Sequence, residues 1–71
     1  MNPLVEKIMR YQDASGMSQA EMARRIGITS STYINHVKRG RKPFGYTLGF
    51  YRRYYDENKG AIEAVTEGVT T

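Results

Sequence analysis

One stretch of this sequence, residues 18–40, constrains the fold more than any other because it combines two short helical patterns with a tight turn. Ser18 can cap the first helix, since a serine hydroxyl accepts hydrogen bonds from the unpaired amides of a first turn. Gly27 can end that helix in the left-handed conformation that glycine adopts easily, and Ile28 then enters the core from the turn. The apolar face of the first helix consists of Met22, Ala23 and Ile26. The stretch therefore predicts two helices that cross closely, the second of which is ended by Gly40.

The second of these helices, residues 31–39, has two chemically different faces. At about 100° per residue, Ile34 and Val37 point to one side. The other side, which we expect to be exposed, carries Thr32, Asn35, His36 and Arg39, with Ser31 beside them. Their hydroxyl, amide, imidazole and guanidinium groups can pair with base edges in the major groove of DNA, and the helix has no acidic residue. We therefore predict that these five side chains contact bases.

A resemblance to a known family rests on the residues of this stretch. Those that carry it are Gln19, Met22, Ala23, Ile26, Gly27, Ile28, Ile34 and Val37, followed by Arg39-Gly40-Arg41-Lys42-Pro43. They resemble the helix-turn-helix of the phage repressor and Cro family, also called the xenobiotic-response-element type, and the likeness spans roughly residues 8–55. It implies a lambda repressor-like, all-α domain that binds a palindromic operator in double-stranded DNA as a homodimer.

Contacts with DNA phosphates are expected from a second set of residues. By the resemblance, Gln19 donates to a phosphate and braces the recognition helix; the alternative is an ordinary polar residue in a first turn. Arg41 and Lys42 lie in a basic loop that either follows a phosphate strand or is only solvated. Tyr33 lies on the flank of its helix, partly in the core, with its hydroxyl within reach of a phosphate. The predicted phosphate contacts are Gln19, Tyr33, Lys38, Arg41 and Lys42.

His36 is open to three interpretations: a contact with a base, an inert position on the surface, and a role in metal binding or catalysis. The sequence has one histidine and no cysteine, so a metal site would need carboxylates from elsewhere. We interpret His36 as a hydrogen-bonding reader of bases and predict no metal site.

Composition bounds the class of protein. A chain of 71 residues makes one domain, near the lower limit for folding alone. The absence of cysteine excludes disulfides, and no apolar run approaches the roughly 20 residues of a membrane span. No phosphate-binding loop, metal cluster or pair of carboxylates indicates an enzyme, a cofactor or a small-molecule substrate. We expect a cytoplasmic, nucleoid-associated protein.

The positive charge is unevenly distributed along the chain. Residues 1–42 hold eight Lys or Arg against three Asp or Glu, a net charge of +5, whereas residues 43–71 have a net charge of −1. The excess coincides with the helix-turn-helix stretch, as binding to a polyanion requires.

The predicted architecture is a compact bundle of five short helices without a sheet, at residues 3–13, 18–26, 31–39, 44–58 and 61–67. Strands within 44–58 would indicate a winged relative instead. The predicted core consists of Leu4, Ile8, Met22, Ala23, Ile26, Ile28, Ile34, Val37, Leu48 and Tyr51.

The fourth predicted helix has more aromatic residues than one core face needs. Tyr46, Phe50 and Tyr54 fall together on the side away from Leu48 and Tyr51. A contiguous apolar patch often marks an interface, so these three residues are predicted to form the dimer contact. The alternative is that the C-terminal segment, residues 61–67, folds back over this face.

These patterns favour a sequence-specific DNA-binding transcriptional regulator, a small prokaryotic or phage repressor. The alternative is an antitoxin or adaptor that uses the same fold to hold another protein.

Overall fold

The computed structural model describes residues 2–66, and this part of the chain contains five α-helices and no β-strand. The helices are α1 (Pro3–Ser15), α2 (Gln19–Ile26), α3 (Ser30–Val37), α4 (Gly45–Glu57) and α5 (Lys59–Thr66). The all-α prediction is therefore confirmed, and the helix expected over residues 44–58 is present rather than a pair of strands. Residue 67, the expected end of the last helix, lies outside the described residues.

Local side-chain chemistry sets the ends of the first three helices. The side chains of Asn2, Ser18 and Thr29 accept hydrogen bonds from first-turn amides of α1, α2 and α3 at 2.8–3.3 Å. Gly16 and Gly27 follow α1 and α2 with φ angles of 73° and 103°, a conformation that glycine adopts without the steric penalty of a Cβ. The predicted cap at Ser18 and the predicted stop at Gly27 are confirmed.

The core differs from the prediction mainly at α3. Its buried apolar residues are Val5, Ile8, Met22, Ala23, Ile26, Tyr33, Tyr51, Tyr54 and Ile62. Leu4, Ile28 and Val37 are half-buried against this cluster. Ile34 and Leu48 are half-buried but do not join it, so their assignment to the core is wrong. Helix α3 is turned by about one residue, about 100°, because the larger Tyr33 occupies the interior.

A polar cluster ties α1, α4 and α5 together at the surface. Lys7 forms an ion pair with Glu63 at 2.9 Å, and the Tyr55 hydroxyl donates to the same carboxylate. The Lys7 ammonium also lies 5.6 Å from the centre of the Tyr55 ring. Helix α5 thus closes the bundle against α1 and α4.

Across residues 2–66, every helix is too short or too polar to traverse a lipid bilayer.

Candidate nucleic-acid interface

The crossing of α2 and α3 depends on small residues. Ala23 is buried, and its carbonyl oxygen accepts from the amides of Gly27 at 2.9 Å and Ile28 at 3.0 Å. The Phe50 ring closes the turn from the α4 side, since a Cβ built at Gly27 would lie 3.4 Å from Phe50 Cδ1. A larger residue at the turn would meet both this ring and the strain of positive φ. The turn therefore fixes the distance between α2 and α3.

The inner face of α3 is anchored by Tyr33. Its side chain is 0% exposed, and its hydroxyl donates to Gln12 Oε1 at 2.7 Å. The Gln12 amide in turn donates to the carbonyl oxygen of Met17 at 3.1 Å. Burial raises the pKa of Tyr33, so the hydroxyl keeps its proton and remains a donor. The prediction that Tyr33 reaches a DNA phosphate is wrong, because its hydroxyl points into the bundle.

His36 also faces inward. It is 6% exposed, and its Nδ1 lies 2.7 Å from the Tyr51 hydroxyl. The two rings pack with their centres 5.5 Å apart. Burial lowers the pKa of His36, which favours the neutral imidazole. The prediction that His36 lies on the exposed face is wrong, because the rotation of α3 that buries Tyr33 also carries His36 against α4.

The outer face of α3 keeps the other four predicted base contacts. Ser31 and Arg39 are exposed, and Thr32 and Asn35 are half-buried. Asn35 joins them, because it lines one shallow groove with Ser31 and Arg39 and a second groove with Thr32. The structure thus brings these four side chains to one surface, while their contact with bases remains a prediction.

The basic loop after α3 borders this surface. The Arg41 amide donates to the carbonyl oxygen of Asn35 at 3.1 Å, and Gly40 has a φ angle of 69°. This left-handed residue lets the chain fold back along α3. Lys38, Arg41 and Lys42 are all exposed, so three of the predicted phosphate contacts are accessible.

Gln19, the remaining predicted phosphate contact, is the first residue of α2 and is half-buried. The first-turn amides of a helix lie close to such a side chain, and a helix N-terminus favours anions. Its position suits the predicted phosphate contact, which stays a prediction.

Comparison with known protein families identifies the family to which the helix-turn-helix part belongs. The profile of the winged helix-turn-helix DNA-binding family matches residues 2–39, more than half of the chain. The chain belongs to this family. Members of the winged helix-turn-helix family are DNA-binding regulators and not enzymes. No curated protein and no solved structure matches the chain.

The family match covers α1, α2 and α3 and stops at Arg39. The wing of winged helix-turn-helix proteins is a β-hairpin, and residues 2–66 contain no strand. Helices α4 and α5 follow α3 instead. The helix-turn-helix core is therefore shared with the family.

The aromatic side of α4 does not form the continuous exposed patch that was expected of a dimer contact. Tyr46 is 78% exposed, but Phe50 is half-buried with the Arg53 guanidinium 5.6 Å from its ring centre. Tyr54 is 6% exposed and belongs to the core. The prediction that Tyr54 is exposed is wrong, because α4 packs against both α1 and α2. Phe44, which was not predicted, is 76% exposed beside Tyr46.

Sequence reasoning missed the polar residues of the interior. Gln12, His36 and Thr47 are all buried. One signal was available for Gln12, which lies four residues after Ile8 on the buried stripe of α1. A polar residue on such a stripe needs a partner inside the bundle, and the partner here is Tyr33.

Proposed function

We propose that this protein is a sequence-specific regulator of transcription that binds double-stranded DNA, a small prokaryotic or phage repressor of the Cro type. Membership of a DNA-binding family supports the general activity. The sequence specificity rests on one observation: the outer face of α3 presents hydroxyl, amide and guanidinium groups beside a basic loop. Phosphate contacts position such a protein, and base contacts specify its site.

The proposed readers are the four residues that α3 keeps on its outer face, Ser31, Thr32, Asn35 and Arg39. Asn35 lies at their centre, and its amide can donate to and accept from one adenine edge. Arg39 can pair with guanine in the same way. Gln19, Lys38, Arg41 and Lys42 are proposed to hold the flanking phosphates.

Binding as a homodimer to a palindromic operator is part of this proposal. Two copies related by a two-fold axis would place their α3 helices about one DNA turn, about 34 Å, apart. Of the aromatic residues of α4, Tyr46 is exposed and Phe50 is half-buried, so they are the members that support such a contact. Sedimentation of the protein with and without a half-site duplex would measure it, and a monomer in both conditions contradicts the dimer.

Selection of bound duplexes from a random DNA pool tests the proposed function. A dimer of sequence-specific subunits is expected to enrich a palindromic consensus with two half-sites. Enrichment of a single half-site would retain specific binding and remove the dimer. If the pool stays random while a protein partner is captured tightly, an antitoxin or adaptor function replaces the proposal, with exposed Phe44 and Tyr46 as contact residues.

A further inference from the structure

We propose that the groove between α3 and the start of α4 is a binding site for a single phosphate group, held by Thr47, His36 and the first-turn amides of α4. The groove has a volume of about 450 Å³, and both side chains line it. Arg41 and Lys42 border it as well. This inference builds on the proposed function, because a DNA backbone is the expected source of the phosphate.

The start of α4 has unpaired donors. Its N-cap residue is Phe44, and within residues 2–66 no side chain caps the first turn. The first-turn amides of a helix have no partner in the helix itself, and together with the helix dipole they favour an anion. Helices α1, α2 and α3 all have a side-chain cap, so α4 differs from the three helices before it.

Thr47 supplies a second and independent observation. It is the third residue of α4 and is 7% exposed, yet its hydroxyl forms no hydrogen bond with the described part of the chain. Among the described residues, no fully buried side-chain oxygen or nitrogen lacks a partner, so this oxygen reaches solvent. Thr47 lines both this groove and a second one between the α2–α3 turn and α4. A hydroxyl that is nearly buried and unpaired is destabilising unless a ligand or water satisfies it. Thr66 on α5 is different, since its hydroxyl donates to the carbonyl oxygen of Ile62 at 2.9 Å.

His36 brings a further donor to the same groove. The Tyr51 hydroxyl lies against its Nδ1 at 2.7 Å. Burial raises the pKa of Tyr51, so this hydroxyl keeps its proton and can donate to Nδ1. When this hydroxyl donates, the proton of a neutral imidazole resides on Nε2. Nε2 has no partner in residues 2–66 and therefore reaches solvent, where this tautomer can donate to a ligand in the groove that His36 lines.

The donors that line this groove favour a negatively charged ligand with several acceptor oxygens. Two neutral side-chain donors, helix amides and two flexible cations converge on one groove, and no Asp or Glu of the described chain lines it. A phosphate group has several acceptor oxygens and a negative charge, which this arrangement can satisfy from more than one direction. A phosphodiester of DNA and free inorganic phosphate share this chemistry, and the test separates them.

The first arm of the test titrates inorganic phosphate into the isotope-labelled protein at low salt and follows the His36 imidazole by nuclear magnetic resonance. Saturable shifts of His36 and of the Thr47 amide are expected. Thr47→Val should weaken phosphate binding by about tenfold, since a hydrogen bond to a charged group is lost, and Thr47→Ser should retain it. No shift at His36, or wild-type affinity in a folded Thr47→Val variant, would overturn the site.

Charge provides the matched control for this arm. Lys42→Gln and Arg52→Gln each remove one positive charge, but only Lys42 borders the groove. Weaker phosphate binding in Lys42→Gln alone is expected. Equal weakening in both variants would mean that phosphate responds only to net charge, and the site would be rejected.

The second arm measures duplex binding by the same variants. If Thr47→Val weakens binding to the selected duplex and to a scrambled duplex equally, DNA supplies the phosphate. If inorganic phosphate binds through Thr47 but no duplex binds, the site stands with a free phosphate ligand and the proposed function fails. If duplexes bind normally to Thr47→Val and inorganic phosphate does not bind the wild type, the site fails and the DNA-binding function stands.

Discussion

Two of the helices that pack against α3, namely α2 and α4, hold it in different ways. Towards α2 the backbones approach closely, and the contact is apolar and small, with Ala23 and Gly27 at the crossing. Towards α4 the backbones come less close, and long side chains bridge the gap. The His36 and Tyr51 side chains meet at 2.7 Å, and the Tyr33 and Tyr51 rings lie 6.5 Å apart between centres.

The two contacts of α3 control different quantities: one sets its distance from α2, and the other sets its rotation about its own axis. Apolar packing has no directional preference, so the α2 contact sets how near α3 lies but not which way it faces. A hydrogen bond between buried side chains requires a particular geometry. The α4 side, together with the Tyr33–Gln12 bond to α1, therefore fixes the rotation of α3 about its axis. Perturbations of the two sides should have different sizes and different dependence on pH.

The largest expected effect is at the apolar side. Ile26→Ala should destabilise the fold by about 2–5 kcal/mol, because Ile26 is fully buried and its removal leaves a cavity. Urea unfolding measures the loss. Ile34→Ala is the matched control on α3, and it should lose less than half as much because Ile34 is half-buried outside the core cluster. Equal losses would mean that the burial assigned to α3 is wrong.

The next effect concerns the bond between α3 and α1. Tyr33→Phe should destabilise the fold by about 1–3 kcal/mol, because Gln12 Oε1 then remains buried without a donor. Tyr46→Phe removes an exposed hydroxyl and should change stability by no more than about 0.5 kcal/mol. Urea unfolding of both variants checks the contrast. A Tyr33→Phe variant as stable as the wild type would show that the Gln12 pair contributes nothing net.

The α4 side should respond to pH. Burial lowers the pKa of His36 from its ordinary value of 6.5, so the unfolded chain takes up a proton more readily than the folded one. The contribution of neutral His36 to the free energy of unfolding is therefore fully present above about pH 6.5. It is lost as the pH falls below this value, by at most about 1.4 kcal/mol per pH unit. Urea unfolding between about pH 7.5 and about pH 5.5 measures the slope.

Two comparisons isolate His36 in this experiment. It is the single histidine of the sequence, so His36→Gln should remove the slope above about pH 5.5. The hydrogen bond from Tyr55 lowers the pKa of Glu63 from its ordinary value of 4.5. The contribution of Glu63 to stability is therefore present above pH 4.5 and is lost only at lower pH. A slope that survives in His36→Gln would assign the pH response to another group.

The smallest expected effect on stability lies on the outer face of α3. Asn35→Ala should change the free energy of unfolding by no more than about 0.5 kcal/mol, since Asn35 is half-buried and its side chain has no hydrogen bond to the described residues. It should weaken binding to the selected duplex by about 1–3 kcal/mol and to a scrambled duplex much less. Equal weakening on both duplexes would exclude Asn35 as a reader.

The helices were predictable because their signals are local. Asn2, Ser18 and Gly27 act on amides and carbonyls within a few residues of themselves, so their roles can be read from spacing alone. The apolar stripe of α2 was equally clear, since Met22, Ala23 and Ile26 are all buried.

The rotation of α3 was not predictable from the same kind of signal. Tyrosine and histidine occur both in cores and on surfaces, so the sequence pattern favours the aliphatic Ile34 and Val37 as the inner face. What decides the rotation is the meeting of Tyr33 with Gln12 and of His36 with Tyr51. These partners are 21 and 15 residues apart in the sequence, and spacing along one helix carries no information about them.

The two inner bonds of α3 lie three residues apart, at Tyr33 and His36, and this spacing links them to the set of side chains that α3 displays. If α3 rotated by one residue, both bonds would break together, and a different set of side chains would face outward. Buried polar pairs are stable only where both partners meet. A substitution in the interior can therefore change which outer residues are displayed, without altering any of them. Under the proposed function, a new target sequence can therefore arise in two ways: by replacing the outer residues of α3, or by rotating α3 through a change in the interior.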